Sequence, residues 1–198
     1  MAQAIRLARQ GVYSTHPNPN VGCVIVAQGN VVGCGWHQQA GGAHAEIHAL
    51  REAGEKACNA DVYLTLEPCS YHGRTPPCAD ALVDAGVRRV VVAMQDPNPL
   101  VAGQGLGRLR QAGIAVETGL METQARAMNP GFVSRMQRGR PWVTIKLASS
   151  LDGRTAMASG ESKWISGDAA RRDVQRLRAR SSAIVTGIGT VIADDPSM

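Results

Sequence analysis

The chain has 198 residues, of which 44% are hydrophobic and 19% are charged. These proportions are ordinary for a globular protein, and no apolar run is long enough to span a bilayer, so a membrane protein is not expected. The formal charge of +5 does not predict a nucleic-acid-binding surface, because residues 1–134 carry ten basic and ten acidic side chains and are therefore neutral.

The cysteine content points to reduced thiols. Five cysteines are an odd number, and the N-terminal segment "MAQAIRLARQG" has charges at helical spacing instead of the pattern of a secretion signal. Free thiols or metal ligands are therefore expected in place of a disulfide framework, which predicts a cytoplasmic protein.

The first part of the chain alternates between strands and helices. The spacing predicts a helix over residues 2–10 that stops at Gly11, and then a hairpin over 21–36 around a Gln-Gly-Asn turn. Predicted helices follow at 44–54 and 76–86, in a segment that ends at Gly113, and at 121–138, with predicted strands at 61–67, 88–94 and 114–118. This order predicts an α/β fold, with a mixed sheet covered on both faces in a three-layer α/β/α domain.

A second unit begins after Gly139 and Pro141. The segments "WVTIKLA" and "AIVTGIG" are predicted as strands, and "SGDAARRDVQRLRAR" between them as a helix. Two strands and one helix cannot form a sheet with two covered faces, so this unit is expected to be an incomplete α/β domain. We therefore predict domains at residues 1–140 and 141–198, and an open sheet edge that favours a homo-oligomer.

Two stretches, "GGAHAEIHAL" at residues 41–50 and "EPCSYHGRTPPC" at 67–78, suggest a metal site. One interpretation pairs His44 with His48 on one helical face, as in zinc proteases. That motif needs a glutamate directly after the first histidine, and this chain has Ala45 there, so the protease interpretation fails.

A second interpretation uses His44, Cys69 and Cys78 as ligands and leaves Glu46 free to act on water. Residues two apart in a helix point about 200° apart, so His44 and Glu46 converge only if the helix starts at His44. Three protein ligands leave the fourth zinc position open, as in catalytic sites.

In the third interpretation the cysteines only pack and His48 is an ordinary helix residue. A lone His-x-Glu would favour this interpretation. Glu-Pro-Cys and a second cysteine after Pro-Pro argue against it. We predict a Zn²⁺ site with His44 as its imidazole ligand, and His48 as structural.

These motifs are similar to the H-x-E…P-C-x-x-C signature of zinc-dependent nucleobase deaminases, except that eight residues separate the two cysteines. With "HPNPNVGCVIV", "LTLEPCSYHGRTPPC" and "QDPNPLVAGQG", the whole chain closely resembles the bifunctional deaminase–reductases of riboflavin biosynthesis. The resemblance implies a cytidine deaminase-like domain that hydrolyses 2,5-diamino-6-(5-phosphoribosylamino)pyrimidin-4-one. Water attacks the ring carbon that bears the 2-amino group, and ammonia leaves.

The resemblance also implies roles for single residues of the deaminase domain. His44, Cys69 and Cys78 match the zinc ligands and Glu46 the catalytic proton shuttle, whereas Asn18 and His37 match substrate-contacting positions. In an alternative interpretation, Asn18 only forms a turn before Pro19. As a hypothesis, the loop between the cysteines holds the substrate phosphate through donors at Ser70, His72, Arg74 and Thr75.

The second unit resembles the start of the same family's reductase domain, which has a dihydrofolate reductase-like fold and uses NADPH. By motif, Ala148, Trp164, Thr190 and Asp194 match cofactor-contacting positions, and Ser162 and Arg178 match substrate positions. The family's later cofactor-binding segments are not in this sequence, so little reductase activity is expected from the chain alone.

Two alternative functions remain open. A deaminase acting on nucleic acid or on free cytosine compounds would share the zinc chemistry, but few aromatic residues are present to stack on an extruded base, so a small-molecule substrate is preferred. A non-catalytic zinc scaffold would need a fourth ligand, for which Cys23, Cys34 and Cys58 are candidates, and would have no use for an unligated Glu46.

Overall fold

The computed structural model describes residues 1–71 and 76–196. Two units separate within it, residues 1–142 and residues 143–198. Among the described residues, no helix has both the length and the apolar character needed to cross a membrane.

The first unit contains six helices and five strands within its described residues, besides two short 3₁₀ turns. Its helices are α1 Ala2–Ala8, α2 Ala45–Ala53, α3 Cys78–Asp84, α4 Gln104–Gln111, α5 Glu122–Met128 and α6 Pro130–Arg138. Its strands are β1 Gly22–Ala27, β2 Asn30–Trp36, β3 Asp61–Leu64, β4 Arg89–Val92 and β5 Ala115–Thr118.

The five strands form one mixed sheet in the order β2-β1-β3-β4-β5. β1 pairs antiparallel with both β2 and β3, whereas β3, β4 and β5 run parallel. The turn of the β1–β2 hairpin places Gln28 and Gly29 at φ 51° and 78°. Two consecutive left-handed residues give the twist that suits a two-residue hairpin. The predicted hairpin and mixed sheet are confirmed.

Helices cover both faces of the sheet. Alternate strand residues such as Ile25, Leu64 and Val92 share one buried cluster with apolar residues of α2, α3 and α4. On the other face, α1 packs on β1 and β2, and a second cluster joins Met94 to residues of α5 and α6. The predicted three-layer α/β/α arrangement is confirmed.

The region predicted as one helix over 121–138 is two helices, and the prediction was wrong at Asn129. Proline has no backbone N–H and its ring excludes the helical conformation from the preceding residue, so a helix cannot run through an Asn-Pro step undisturbed. Asn129 accordingly has φ −126° and ψ 46° between α5 and α6. Sequence spacing alone overlooked this break because the apolar periodicity continues across it.

The second unit differs from the predicted one. It contains two helices, α7 Asp168–Ala179 and α8 Ile188–Asp194, and no strand among its described residues. The predicted strands "WVTIKLA" and "AIVTGIG" were wrong, because an extended segment becomes a strand only where its N–H and C=O groups pair with another segment. Apolar side chains of both segments, such as Ile145, Leu147 and Val185, are exposed.

Helix α2, which carries Glu46, lies unusually close to β2. A Cβ atom at Gly35 would overlap the carbonyl oxygen of Ala45 and approach the backbone nitrogen of Ala49 to 2.7 Å. Glycine on the strand and alanine on the helix therefore set the height of α2 above the sheet.

We expect the substitution Gly35→Ala to lower the free energy of unfolding by about 2 kcal/mol, the cost of overpacking a closely packed interior. Urea denaturation of the two proteins measures the difference. Gly107→Ala in α4 is the matched control, because nothing lies within 4 Å of the added methyl group and alanine favours helix. Equal stability of the Gly35→Ala and Gly107→Ala proteins would contradict the packing argument.

Candidate metal centre and active site

Three side chains from separate segments of the first unit converge on one point. The Nδ1 atom of His44 lies 3.2 Å from the Sγ atom of Cys78 and 3.6 Å from the Sγ atom of Cys69. The three ligand atoms all lie within 4.8 Å of one another. Among the described residues, these form the one group of three or more His, Cys, Asp or Glu side chains with the proximity that a metal ion requires.

The start of α2 explains how His44 and Glu46 face the same space. The helix begins at Ala45, and His44 precedes it in an extended conformation with φ −76° and ψ 167°. The two side chains are therefore not separated by the angle that a regular helix would impose on positions two apart. This is the helix start that the sequence analysis required.

The two cysteines are held by the backbone of α3. Cys78 is the first residue of α3, and its N–H donates to the Sγ atom of Cys69 at 3.2 Å. The Ala79 N–H donates to the carbonyl oxygen of Cys69 at 3.0 Å. Amide donors at a helix start stabilise a thiolate, so the Cys69 sulfur is prepared for a cation before any is bound.

The electrostatics of the group agree with a cation site. The pKa of Cys69 is lowered to about 4, first by the hydrogen bond from the Cys78 thiol and next by that with His44. The pKa of Cys78 is raised because its thiol proton is shared with the Cys69 sulfur and because its surroundings are buried. A divalent cation would replace that shared proton and allow both sulfurs to be thiolates.

The donor set fits zinc. Zn–S and Zn–N bonds of about 2.3 and 2.0 Å at the tetrahedral angle separate nitrogen and sulfur ligand atoms by roughly 3.5 Å, close to the distances observed here. Cys23, Cys34 and Cys58 are not part of the group, so among the described residues none of the three candidate fourth ligands completes it. An open tetrahedral position is the arrangement of a catalytic site.

Glu46 is a buried carboxylate that lines the same cavity as His44 and Cys69. It is 3% exposed, and its Oε2 atom has no hydrogen-bond partner among the described residues. Burial raises the pKa of Glu46 to about 7, an effect that the nearby His44 partly opposes. A buried oxygen without a donor is costly, and it indicates that a polar group from outside the chain completes the site.

Asn18 and His37 form a polar pair beside the triad. The Nδ1 atom of His37 lies 3.1 Å from the carbonyl oxygen of Ala43, which can only accept, so Nδ1 carries the proton. Nε2 of His37 is then the acceptor for Nδ2 of Asn18 at 3.0 Å. The His37 ring meets the His44 ring edge-on with centroids 5.4 Å apart. Burial lowers the pKa of His37, in agreement with a neutral ring.

These groups line one cavity of about 490 Å³. Asn18, His37, His44, Glu46 and Cys69 contribute to it, and Ser70 lies in the same wall. Three further residues, Phe132, Arg135 and Met136, reach it from α6. His72, Arg74 and Thr75, predicted to bind phosphate, lie outside the described residues.

Two residues that support the site were missed in the sequence. Asn129 pairs with the backbone of Asn20, accepting its N–H at 2.7 Å and donating to its carbonyl oxygen at 2.9 Å. This contact ties the loop that carries Asn18 to the start of α6. Glu67, directly before Pro68 and Cys69, accepts four backbone N–H groups. In the sequence, the available signal for Glu67 was its position at the end of the predicted strand over residues 61–67.

The predicted reductase positions lie in several segments of the second unit. Ala148 is in a segment without regular secondary structure, Ser162 and Trp164 precede α7, Arg178 is in α7, and Thr190 and Asp194 are in α8. The Trp164 ring is 70% exposed and has the guanidinium carbon of Arg171 4.4 Å from its centroid. Their assigned roles remain predictions.

The mixed sheet has α2 and α3 packed on one face, and its His/Cys/Cys triad comes from the residue before α2, the segment after β3 and the start of α3. This arrangement is cytidine deaminase-like. A family model described as the cytidine and deoxycytidylate deaminase zinc-binding region matches residues 1–94. The RibD C-terminal domain model matches residues 141–198.

Individual relatives are more specific than the family models. The chain is 64% identical over all 198 residues to the riboflavin biosynthesis protein RibD of Escherichia coli and covers 54% of that protein. An Acinetobacter baumannii RibD structure matches 98% of this chain with a TM-score of 0.95 and 62% identity, and 55% of that chain is covered.

A third relative is a deaminase/5-amino-6-(5-phosphoribosylamino)uracil reductase structure from Thermotoga maritima. It matches 99% of this chain with a TM-score of 0.93 and 40% identity, and 56% of that chain is covered. The chain is thus similar to RibD proteins over its whole length, and it spans about half the length of the curated relatives it matches.

We expect Cys69→Ala to reduce the zinc content of the purified protein to less than about a tenth of that of the unsubstituted chain, because two remaining ligands cannot hold the ion tightly. Metal analysis after dialysis measures this. Cys58→Ala is the matched control, since Cys58 is exposed and outside the triad. Full zinc occupancy in Cys69→Ala would contradict the assigned site.

We expect Asn129→Ala to lower the free energy of unfolding by roughly 1–3 kcal/mol, because it leaves the partly buried backbone N–H of Asn20 without its partner. Chemical denaturation measures the effect. Asn30→Ala should change it by less than about 0.5 kcal/mol, since the Asn30 amide makes one exposed hydrogen bond to Gln28. A similar loss in both proteins would refute a specific role for Asn129.

Proposed function

We propose that residues 1–140 catalyse the zinc-dependent hydrolytic deamination of 2,5-diamino-6-(5-phosphoribosylamino)pyrimidin-4-one to 5-amino-6-(5-phosphoribosylamino)pyrimidine-2,4-dione and ammonia. The observation that carries the proposal is the buried, unpaired Oε2 atom of Glu46 next to three metal ligands. A structural zinc site would supply a fourth ligand and would not bury an uncommitted carboxylate.

His44, Cys69 and Cys78 would hold Zn²⁺, which when bound makes water acidic enough to act as a nucleophile near neutral pH. Glu46 would take a proton from the attacking water at its unpaired carboxylate oxygen. The water oxygen forms a bond to the ring carbon, and the bond from that carbon to the amino nitrogen breaks. Glu46 returns the proton to the departing nitrogen, so ammonia leaves and the carboxylate is regenerated.

Asn18 and His37 are proposed to orient the pyrimidine ring. Because Nδ2 of Asn18 donates to His37, the carboxamide orientation is fixed by a ring that is itself held by the Ala43 carbonyl. Among the described residues the Oδ1 atom of Asn18 has no partner, which leaves it available to a donor on the substrate. A side-chain amide can read both the carbonyl and the amino edge of a pyrimidine.

Arg74 and Thr75 are proposed to bind the substrate phosphate. The resemblance supports this proposal, and so does Ser70, which begins the same loop and lines the cavity.

For residues 141–198 we propose a part in NADPH-dependent reduction of the ribosyl side chain. Ala148, Trp164, Thr190 and Asp194 would contact NADPH, and Ser162 and Arg178 the substrate. This proposal is supported by the match to the RibD C-terminal domain.

The proposed partner is a small pyrimidine ribose phosphate, with no nucleic acid or membrane. Neutral charge over residues 1–134 supports this choice over an RNA or DNA substrate. A cytoplasmic location is proposed because all five cysteines are free thiols. A homo-oligomer is proposed because the sheet has open edge strands.

Ammonia release from the diaminopyrimidine phosphate tests the proposal. We expect Glu46→Gln to retain zinc and to lose activity by about a hundredfold or more, since loss of a positioned proton shuttle costs that much. Glu52→Gln, on the same helix but outside the cavity lining, is the matched control and should keep full activity.

Equal ammonia release by the unsubstituted and Glu46→Gln proteins would refute the proton-shuttle assignment. Comparable turnover of cytidine or of a transfer RNA by the unsubstituted chain would instead favour the alternative deaminase substrates.

A further inference from the structure

Glu67 is a buried carboxylate that the proposed chemistry does not use. It is 6% exposed and lies between the end of β3 and Cys69. Its Oε2 atom accepts the N–H groups of Asp96 at 3.0 Å and Gly103 at 2.9 Å. Its Oε1 atom accepts those of Gly105 at 2.9 Å and Leu106 at 3.3 Å.

The four amides belong to two neighbouring parts of the chain. Asp96 and Gly103 bound the loop over residues 96–103, which we call the wall loop because Asp96, Asn98 and Val101 line the active-site cavity. Gly105 and Leu106 lie in the first turn of α4. One side chain therefore connects the segment that ends in Cys69 to another segment of the cavity lining.

The approach between these segments is close enough to exclude a side chain. A Cβ atom at Gly105 would overlap the carbonyl oxygen of Pro68, and it would lie 3.3 Å from Cγ of Glu67. Pro68 is the residue joining Glu67 to Cys69, so α4 is packed directly against the backbone that holds the ligand.

Backbone amides supply the compensation for the buried charge of Glu67. In the part of the chain that the structure describes, no Lys or Arg forms an ion pair with this carboxylate. Hydrogen bonds to an ionised acceptor are stronger than those between neutral groups, and two of these come from a helix start, where the dipole favours an anion. The arrangement thus depends on a charged carboxylate, because both of its oxygens accept hydrogen bonds.

We propose that Glu67 is a positioning residue that fixes Cys69 and the wall loop relative to each other, so that zinc affinity and substrate affinity depend on it together. The substrate part rests on the proposed deaminase function. Glu67 makes none of its side-chain hydrogen bonds with α2, so the proton transfer assigned to Glu46 does not depend on it directly.

The test is Glu67→Gln in the full chain. The carboxamide keeps the shape but replaces one acceptor oxygen with a donor that faces two N–H groups. We expect zinc affinity, measured by competition with a chromogenic chelator, to fall about tenfold or more, as is typical when a residue that orients a ligand is altered. KM for the diaminopyrimidine phosphate should rise by a similar factor, with kcat at saturating zinc and substrate within about threefold.

Hydrogen exchange supplies a measurement that needs no turnover. In Glu67→Gln, the amides of residues 96–106 should exchange faster while those of β1 and β4 keep their protection. Glu52→Gln is the matched control, because Glu52 accepts a single backbone N–H, from Cys34, away from the cavity. It should leave zinc affinity, KM and exchange of residues 96–106 unchanged.

The outcomes separate this inference from the proposed function. If the unsubstituted chain binds zinc but releases no ammonia, the proposed function fails while chelator competition and hydrogen exchange still test Glu67. Zinc affinity and exchange within about twofold of the unsubstituted chain would overturn the inference. Glu67→Asp, which keeps the charge, is the second variant. Global unfolding of both variants would assign Glu67 to fold stability alone, and this result would also overturn the inference.

Discussion

The extended conformation of His44 is the constraint on which the site depends. An imidazole and a carboxylate two residues apart would point to different sides of a regular helix. Because α2 begins only at Ala45, His44 and Glu46 both face the cavity. His44 belongs to the group that can hold a metal ion, and Glu46 beside it is a buried carboxylate with an oxygen that is unpaired among the described residues.

The sheet explains why the remaining groups meet at this place. β3 and β4 run parallel, so their carboxyl ends lie at the same edge of the sheet, where ligands bind in open α/β folds. The segment after β3 carries Glu67 and Cys69, and the segment after β4 leads to the wall loop. Close packing of α2 on β2 then brings Glu46 to the same edge. Each part is ordinary for its fold class, and the site arises because the starts of α2 and α3 and the segment after β3 converge on one point.

Sequence reasoning reached the triad because its residue types are rare in that spacing, and it reached the layers because alternation and periodicity follow directly from burial. It failed where the decisive factor was a partner distant in sequence. The segments "WVTIKLA" and "AIVTGIG" have strand-like composition, but composition does not provide the backbone partners that make a strand. Asn129 was read as part of one helix, although the following Pro130 was visible, because the apolar spacing was given more weight than the proline.

Glu67 and Asn129 share a property that hides their roles in any reading of sequence patterns. Both bind backbone groups of segments far along the chain, Asn129 those of Asn20 and Glu67 those of the wall loop and α4. A side chain that hydrogen-bonds to backbone groups can do so whatever the residue type of its partner. The sequence therefore contains no complementary residue that would reveal the contact. What such a contact fixes is the path of the chain. In this protein the two side chains hold the segments that carry Asn18 and Cys69, and so residues outside the triad support the arrangement of the site.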